Sequence, residues 1–252
     1  MHYKYAREDL DYSDFSSGRV FYSLPGHPAF PVRLASEIFQ RCLAHREKSY
    51  GVSTPCTLYD PCCGAAYQLS VLAYLHGESI REVIASDIDE KAVEMAERNL
   101  GLLSEAGLDR RIGELSSLFQ QYGKESHKQA LHSASILKMR LSALRAEHPL
   151  LTQAFQANVA DKNTLLNQIK PRSVDIVFTD VPYGWHSQWR DTQPTAGIDP
   201  LESMLEALLG VLSPSSVLAI VSDKQQKATH AGFRRMEKFQ IGRRRVVILQ
   251  PS

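Results

Sequence analysis

Apolar positions follow two spacings that alternate along this chain. Short runs of mostly apolar residues, such as those at Cys56–Tyr59 and Ser173–Thr179, predict buried strands. Apolar residues three or four positions apart, as in Glu90–Leu100, predict helices with one buried face. The other segments predicted in this way are strands at 83–86, 155–159 and 216–222, and helices at 66–75 and 199–212. Strands that alternate with helices predict an α/β fold built on a parallel sheet.

The two ends of the chain depart from this alternation. Arg234–Gln250 predicts two antiparallel strands that turn at Gly242, so the sheet is expected to be mostly parallel with an antiparallel C-terminal hairpin. Residues 1–30 lack a long periodic apolar pattern and predict an arm that packs onto the main domain. Pro31 suits the first turn of a helix. Residues 1–51 are therefore expected to form an N-terminal arm and helix.

A long segment at 104–156 interrupts the pattern, because a helix-to-strand connection normally takes about 2–6 residues. Lys128–Leu144 carries apolar residues at helical spacing, and the segment predicts an inserted helical hairpin. The hairpin is either a structural lid or an appendage that recognises substrate. We expect residues 1–252 to form a single domain with this insertion.

Composition narrows the class of protein. The 252 residues are 43% hydrophobic and 23% charged, as is usual for globular proteins. No apolar run approaches the ~20 residues needed to span a bilayer. The four cysteines lack metal-type pairing, so we expect reduced thiols, a cytoplasmic location and no metal site. The net charge of +1 means that any nucleic-acid-binding surface must be a local patch.

Acidic residues follow three of the predicted strands, at Asp60, Asp87 and Asp161. In open α/β sheets ligands bind at the carboxyl ends of the strands, so these acids are expected to share one ligand-binding edge. Asp60 can accept hydrogen bonds from a cationic ligand, and the turn through Gly64 exposes N–H groups at a helix N-terminus. Many α/β proteins begin a helix this way without a cofactor. Asp87 suits ribose hydroxyls, although GxGxxG is absent.

The segment DVPYG, at 180–184, carries the most chemistry. Asp180 and the Val181 carbonyl can accept hydrogen bonds from a planar group that bears N–H. Pro182 fixes the backbone, and Tyr183 can stack on the face of that group. The alternative is a β-turn with a capping aspartate.

Cationic residues cluster on the predicted C-terminal strands. They are Arg234, Arg235, Lys238, Arg243, Arg244 and Arg245. Alternate residues of a strand share a face, so Arg243 and Arg245 are expected to point one way and Arg244 the other. The cluster is either a solvated edge or a surface that binds RNA phosphates. Arg33, next to a proline-rich turn, is a further candidate site residue.

Several segments resemble the motifs of class I S-adenosylmethionine-dependent methyltransferases, over about residues 52–250. DPCCGAAY resembles motif I, ASDID the acidic loop, NVAD the adenine-contacting segment, and DVPYG the (D/N)PPY catalytic motif. Across nearly the whole chain, PGHPAFPVRLASEIFQR, DPCCG, VIASDIDEKAVEMAERNL and TDVPYG together are similar to the AviRa-type avilamycin-resistance methyltransferases of 23S rRNA.

This resemblance implies an α/β class I methyltransferase (Rossmann-like) fold that uses S-adenosyl-L-methionine. It also implies methylation of a guanine base in 23S rRNA, with resistance to orthosomycin antibiotics. The expected partner is 23S rRNA or the large ribosomal subunit, and the protein is expected to be a monomer. The implied cofactor-binding residues are Asp60, Cys62, Gly64, Asp87, Ile88, Asp161 and Arg33. The implied catalytic residues are Asp180, Val181, Pro182 and Tyr183, with Asp180 as a general base if the acceptor is a ring N–H.

The chain departs from the family pattern at Ala66, where motif I usually has glycine. We expect weaker or slightly shifted cofactor binding there. Val181 replaces the first proline of (D/N)PPY and leaves the carbonyl intact. Two other readings share these features. One is a methyltransferase that acts on protein glutamine or on adenine in DNA, and the other is an RNA-binding relative without the cofactor.

Overall fold

The fold is described from a computed structural model that covers residues 3–25, 28–181, 199–223 and 226–252, without the side chain of Arg145. The helices, numbered in chain order, are α1 (Val32–Tyr50), α2 (Tyr67–Leu75), α3 (Glu90–Gly101), α4 (Glu105–Tyr122), α5 (Glu125–Glu147), α6 (Lys162–Gln168) and α7 (Pro200–Leu208). The strands are β1 (Cys56–Asp60), β2 (Ile80–Asp87), β3 (Leu151–Gln156), β4 (Val174–Asp180), β5 (Leu212–Ser222), β6 (Phe233–Ile241) and β7 (Arg244–Pro251).

Within these residues the strands form one seven-stranded sheet in the order β3-β2-β1-β4-β5-β7-β6. The first five strands of that order run parallel. Strand β7 lies antiparallel between β5 and β6. The sheet confirms the predicted mostly parallel α/β fold with an antiparallel C-terminal hairpin. Strand β1 is buried along its whole length, which explains its continuous apolar run.

Apolar side chains cover both faces of the sheet. One layer joins α1, α2, α3 and α5 to residues of the N-terminal arm, including Phe15 and Phe21. The other layer packs α6 and α7 against the opposite face. No helix among the described residues is long and apolar enough to cross a membrane. The sheet is therefore covered by helices on both faces.

The arm is fixed by polar contacts as well as by aromatic packing. The buried carboxylate of Glu37 accepts hydrogen bonds from the backbone N–H groups of Lys4, Tyr5 and Ala6, at 2.7–2.9 Å. The Tyr67 hydroxyl donates to the Phe15 carbonyl at 2.5 Å. Because Tyr67 opens α2 directly after the motif I turn, the arm and the turn are held together.

The segment at 104–156 contains the predicted helical hairpin, formed by α4 and α5. The two helices turn at Gly123, whose φ of +60° is a conformation that suits glycine. Leu137 and Leu141 of α5 are buried in the same layer as the arm. The last residues of the segment belong to the sheet, because β3 begins at Leu151.

The prediction of the third strand was wrong in its bounds. It was expected at 155–159 and to end at Asp161, whereas β3 ends at Gln156. Strand β3 lies at the edge of the sheet and Leu151 is 68% exposed, so its apolar pattern is weak. The helix predicted at 199–212 ends at Leu208, and β5 begins at Leu212 rather than at 216.

Candidate active site

Three of the four predicted acids lie at one edge of the sheet. Asp87, Asp60 and Asp180 are the last residues of β2, β1 and β4. These three strands are neighbours and parallel, so their carboxyl ends point the same way. The structure thus brings the three carboxylates to the sheet edge where open α/β sheets bind ligands.

Asp60 is the most deeply buried of these acids, with only 1% of its surface exposed. Its two carboxylate oxygens accept hydrogen bonds from the Cys62 backbone N–H at 3.1 Å and from the Gln68 side-chain amide at 2.6 Å. Burial raises the pKa of Asp60 to about 7, because the charged form loses its hydration. A buried carboxyl of this kind favours a cationic ligand, which would stabilise the ionised form.

Gly64 connects the turn after β1 to the acid after β2. Its backbone N–H donates to the Asp87 carboxylate at 2.8 Å, and its φ is +52°. The second Asp87 oxygen accepts from the Asp89 backbone N–H at 3.0 Å. Ile88 lies in the same loop, where its carbonyl accepts from the Gln156 side-chain amide at 2.9 Å. The two turns are therefore tied into one unit at the sheet edge.

The two adjacent cysteines lie in the turn that follows β1. Cys63 is buried and its backbone N–H donates to the Ser86 carbonyl at 2.9 Å. Burial holds the pKa of both thiols, at Cys62 and Cys63, well above the usual range. Neither thiol is thus activated as a nucleophile at neutral pH.

Ala66 adopts the left-handed conformation at the N-cap of α2, with φ 50° and ψ 27°. It is fully buried, and its carbonyl accepts from the Ser70 hydroxyl at 2.9 Å. A residue with a Cβ in this conformation is strained by about 1–2 kcal/mol. The cost of alanine at this position therefore lies in the backbone of the turn after β1.

Replacing Ala66 with glycine is expected to stabilise the protein by about 0.5–1 kcal/mol. Relief of the left-handed strain exceeds the ~0.5–1 kcal/mol of extra entropy that glycine loses on folding. Urea unfolding with an unchanged m-value measures the difference. The neighbouring Ala65 has no positive φ, so Ala65→Gly is the matched control and should destabilise. Equal effects of the two substitutions would contradict the strain at Ala66.

Asn99 is a site-supporting residue that the sequence reasoning missed. It is fully buried on α3, and its side-chain amide donates to the Ala65 carbonyl at 2.8 Å and to the Tyr22 carbonyl at 3.0 Å. Its oxygen accepts from the Tyr22 backbone N–H at 2.8 Å. One side chain thus fastens the motif I turn to the arm. The available signal was an asparagine on the apolar stripe of a helix, next to Ala96 and Leu100.

The DVPYG segment is described only up to Val181. Asp180 ends β4, and the Val181 backbone N–H donates to the Val221 carbonyl at 3.0 Å. Val181 is itself buried, which holds the backbone rigid directly after Asp180. Pro182 and Tyr183 lie outside the described residues, and their assignments stay predictions.

Two predicted cofactor residues are engaged elsewhere. The Arg33 guanidinium donates to the carbonyls of Ala6 and Arg7 at 3.0 and 2.7 Å, and it pairs with Asp9 at 2.9 Å. All its nitrogen groups thus anchor the arm. Asp161 is exposed and caps α6, where it accepts from the Thr164 hydroxyl at 2.6 Å. That hydrogen bond lowers the pKa of Asp161.

The C-terminal cations divide into two groups. Four are exposed on β6, an edge strand, and on the following turn: Arg234, Arg235, Lys238 and Arg243. Arg244 and Arg245 are half-buried on β7. The expectation that Arg243 shares a strand face with Arg245 was wrong, because Arg243 lies in the turn with Gly242.

The sheet order and the two acid-bearing turns after β1 and β2 define the class I S-adenosylmethionine-dependent methyltransferase fold. The putative methyltransferase yhhF of Escherichia coli shares this fold, with a TM-score of 0.50 at 14% identity over 91% of this chain and 90% of that chain.

More similar proteins narrow this class. The model of the family described as rRNA methyltransferase AviRa matches residues 1–244 of this chain. The 23S rRNA (guanine(2535)-N(1))-methyltransferase of Streptomyces viridochromogenes is 40% identical over 250 residues, covering 99% of this chain and 96% of that protein. A 1.5 Å structure of AviRa from the same organism has a TM-score of 0.84 and 38% identity, covering 99% of this chain and 96% of that chain. The chain therefore belongs to the AviRa family of rRNA methyltransferases.

Proposed function

We propose that this protein transfers a methyl group from S-adenosylmethionine to N1 of a guanine base in 23S rRNA. The observation that carries the proposal is the position of Asp180, which ends β4 beside the turn that follows β1. Similarity to a guanine-N1 methyltransferase over nearly the whole chain supports the same base and ring position. The action is expected in the cytoplasm, by a single-domain monomer, with resistance to orthosomycin antibiotics as the phenotype.

The residues at the sheet edge fit S-adenosylmethionine. Asp60 is a buried carboxyl with a raised pKa, and a cationic cofactor offsets the cost of ionising it. Asp87 is half-buried next to a glycine turn, where its carboxylate can accept from ribose hydroxyls. We place the methionine portion near Asp60 and Cys62, and the ribose near Asp87 and Ile88. Arg33 is left out of this set because its guanidinium holds the arm.

Asp180 supplies the base of the proposed reaction. When bound, the cofactor provides an electrophilic methyl group on a sulfonium. A guanine N1 carries a proton that must leave, and the Asp180 carboxylate can accept it, a role worth about 10²–10⁴ in rate. The hydrogen bond from the Val181 backbone N–H to the Val221 carbonyl holds the main chain next to Asp180 on the sheet. Alignment of the reacting groups contributes further, up to ~7–11 kcal/mol of the barrier.

The exposed cations of β6 and its turn are proposed to contact rRNA phosphates. Each phosphate contact releases counterions, so the logarithm of the association constant falls with the logarithm of salt concentration by about 0.7–0.9 per contact. The triple variant Arg235→Ala, Lys238→Ala and Arg243→Ala is expected to flatten this slope by about two units. Fluorescence anisotropy with a 23S rRNA fragment measures it. Lys170→Ala, an exposed cation outside this surface, is the control. An unchanged slope in the triple variant would remove the surface from the proposal.

The proposed function is tested by incubating the protein with radiolabelled S-adenosylmethionine and, separately, 23S rRNA, large ribosomal subunits, DNA and ribosomal protein. We expect label in rRNA, in a guanine that mass spectrometry identifies as methylated at N1. Label in DNA adenine or in protein glutamine would assign the fold to a different substrate. Failure to bind S-adenosylhomocysteine in calorimetry would make the protein a binding relative without methyl transfer.

A further inference from the structure

Arg244 lies beside Asp180 rather than on the outer cationic surface. Its Nε is 3.6 Å from an Asp180 carboxylate oxygen, and both side chains are 26% exposed. The sequence grouped Arg244 with the RNA-binding cations, but its charge faces the proposed base. Its position therefore calls for a different role.

The register of three strands explains this proximity. Asp180 of β4 pairs with Val221 of β5, which pairs with Val246 of β7. Arg244 is two residues before Val246 and so shares its face of the sheet. Phe178 and Val246 belong to the same apolar layer, and Asp180 is two residues after Phe178. Arg244 and Asp180 thus project from one face at the same edge of the sheet.

The arm holds the guanidinium from its other side. The Arg244 guanidinium carbon is 5.0 Å from the Phe30 ring centroid, a cation–π distance, and Phe30 packs edge-on against Phe178 at 5.6 Å. The Arg244 Nε is buried and has no hydrogen-bond partner among the described residues. Buried donors nearly always have a hydrogen-bond acceptor, so we expect the Arg244 Nε to donate to an acceptor on a bound substrate.

The pair presents one acceptor and one donor side by side. A carboxylate only accepts and a guanidinium only donates. The Watson–Crick edge of guanine offers the complement, an N1–H donor next to the O6 acceptor. Adenine and cytosine reverse it, because their ring nitrogen accepts and the adjacent amino group donates. A pair of this polarity therefore rejects these two bases by leaving buried groups unmatched.

We propose that Arg244 is a catalytic and specificity-determining residue that donates to guanine O6 while Asp180 binds N1–H. The proposal rests on the proposed function above and adds the group that reads and activates the base. Uracil also has a ring N–H next to a carbonyl, so this pair alone does not exclude it.

In the proposed step the N1 proton moves to Asp180 and the methyl group moves to N1. The N1–H bond breaks and its proton goes to the Asp180 carboxylate, while its electron pair stays on the base and spreads to O6. N1 then forms a bond to the methyl carbon, and the carbon–sulfur bond breaks with its electron pair returning to sulfur, which leaves a neutral thioether. Arg244 stabilises the negative charge on O6 during this step, as a donor does in an oxyanion hole.

Two other titratable groups lie near Asp180 and Arg244, and neither is changed when Arg244 is replaced. Burial raises the pKa of Asp60 to about 7, and this carboxyl is present in the wild-type protein and in the Arg244 variants. Burial keeps the Cys62 thiol protonated, with its pKa well above the usual range. A difference in the pH dependence of kcat between the wild-type protein and an Arg244 variant therefore reports on Arg244.

The first test compares kcat against pH for wild-type, Arg244→Ala, Arg244→Lys and Arg172→Ala on 23S rRNA. Arg172 is an exposed arginine that precedes β4, at the opposite edge of the sheet, and serves as the control. At pH 7 we expect Arg244→Ala to lose about 10²–10³-fold in kcat, with less loss at pH 9 and partial recovery in Arg244→Lys. S-adenosylhomocysteine affinity should stay within about twofold, since the contacts of Arg244 within the described residues are with Asp180 and Phe30 rather than with the turns after β1 and β2. An equal loss at every pH would reduce the contact to a structural ion pair and overturn the proposal.

The second test measures binding without catalysis. Anisotropy compares rRNA fragments that carry guanine, inosine or 2,6-diaminopurine at the mapped methylation position. Wild-type should bind guanine and inosine alike and diaminopurine about tenfold more weakly. Arg244→Ala should lose part of this preference, because Asp180 alone then distinguishes a base with N1–H from one without it. Unchanged discrimination between the bases in Arg244→Ala would overturn the role of Arg244. The proposed function would still stand if the wild-type protein methylates the rRNA. If the wild-type protein does not methylate guanine, both the proposed function and the proposed role of Arg244 lose their basis.

Discussion

Replacing Asp180 with asparagine is expected to lower kcat by about 10²–10⁴-fold, the usual contribution of a general base. Asparagine keeps the size and the hydrogen-bonding shape of the side chain but cannot accept the guanine N1 proton. The affinity for S-adenosylhomocysteine should change by less than about twofold, because Asp180 ends β4 and the proposed cofactor residues lie on the turns after β1 and β2. Single-turnover kinetics on 23S rRNA, with calorimetry of cofactor binding, measure the two effects.

The control for this variant is Asp109→Asn, an exposed aspartate on α4 that pairs with Lys138. It removes the same charge far from the sheet edge, so transfer should continue at the wild-type rate. Wild-type turnover by Asp180→Asn would defeat the assignment of the base. Loss of cofactor binding in the same variant would instead move Asp180 into the cofactor site.

Cofactor affinity is expected to fall as the pH drops through about 7. Burial raises the pKa of Asp60 to about 7, so below that pH the carboxyl is neutral in the free protein. A cationic cofactor favours the ionised carboxylate, and binding must then release a proton. Affinity for S-adenosylhomocysteine, whose amino group is cationic, should weaken by up to about tenfold per pH unit below 7. Calorimetry between pH 5 and 8 in about equal salt checks this.

The same shift has the opposite consequence for the free protein. In the unfolded chain the carboxyl ionises near its usual value of about 4. The native protein therefore holds a proton that the unfolded chain releases, and stability is lost as the pH rises from about 4 to about 7. Asp60→Asn removes this loss and should also abolish the pH dependence of binding. A flat affinity profile in the wild-type protein would show that Asp60 does not interact with the cofactor.

Local sequence patterns were sufficient for the central strands and their acids. Strands β1 and β4 are buried on both sides, so both are mostly apolar, apart from Asp175 in β4, and they end at Asp60 and Asp180. The same logic failed at β3, an edge strand that needs few apolar residues. Asp161 was consequently placed at a strand end, whereas it caps α6.

Side-chain partners distant in sequence were beyond the reach of pattern reasoning. Arg33 and Arg244 are both arginines near plausible ligand surfaces, yet one binds the arm and the other faces Asp180. Their roles depend on strand register and on where the arm docks, which no local spacing encodes. The left-handed backbone of Ala66 was equally hidden, since alanine rarely adopts it and the motif indicated only a missing glycine.

A crystal structure with bound S-adenosylhomocysteine tests the central claim most directly, because that claim concerns where the cofactor lies relative to Asp87 and Asp180. The account predicts the ribose hydroxyls within about 2.6–3.2 Å of the Asp87 carboxylate oxygens and the sulfur facing Asp180. A ligand bound away from the carboxyl ends of β1 and β2, or with its sulfur turned from Asp180, would contradict it.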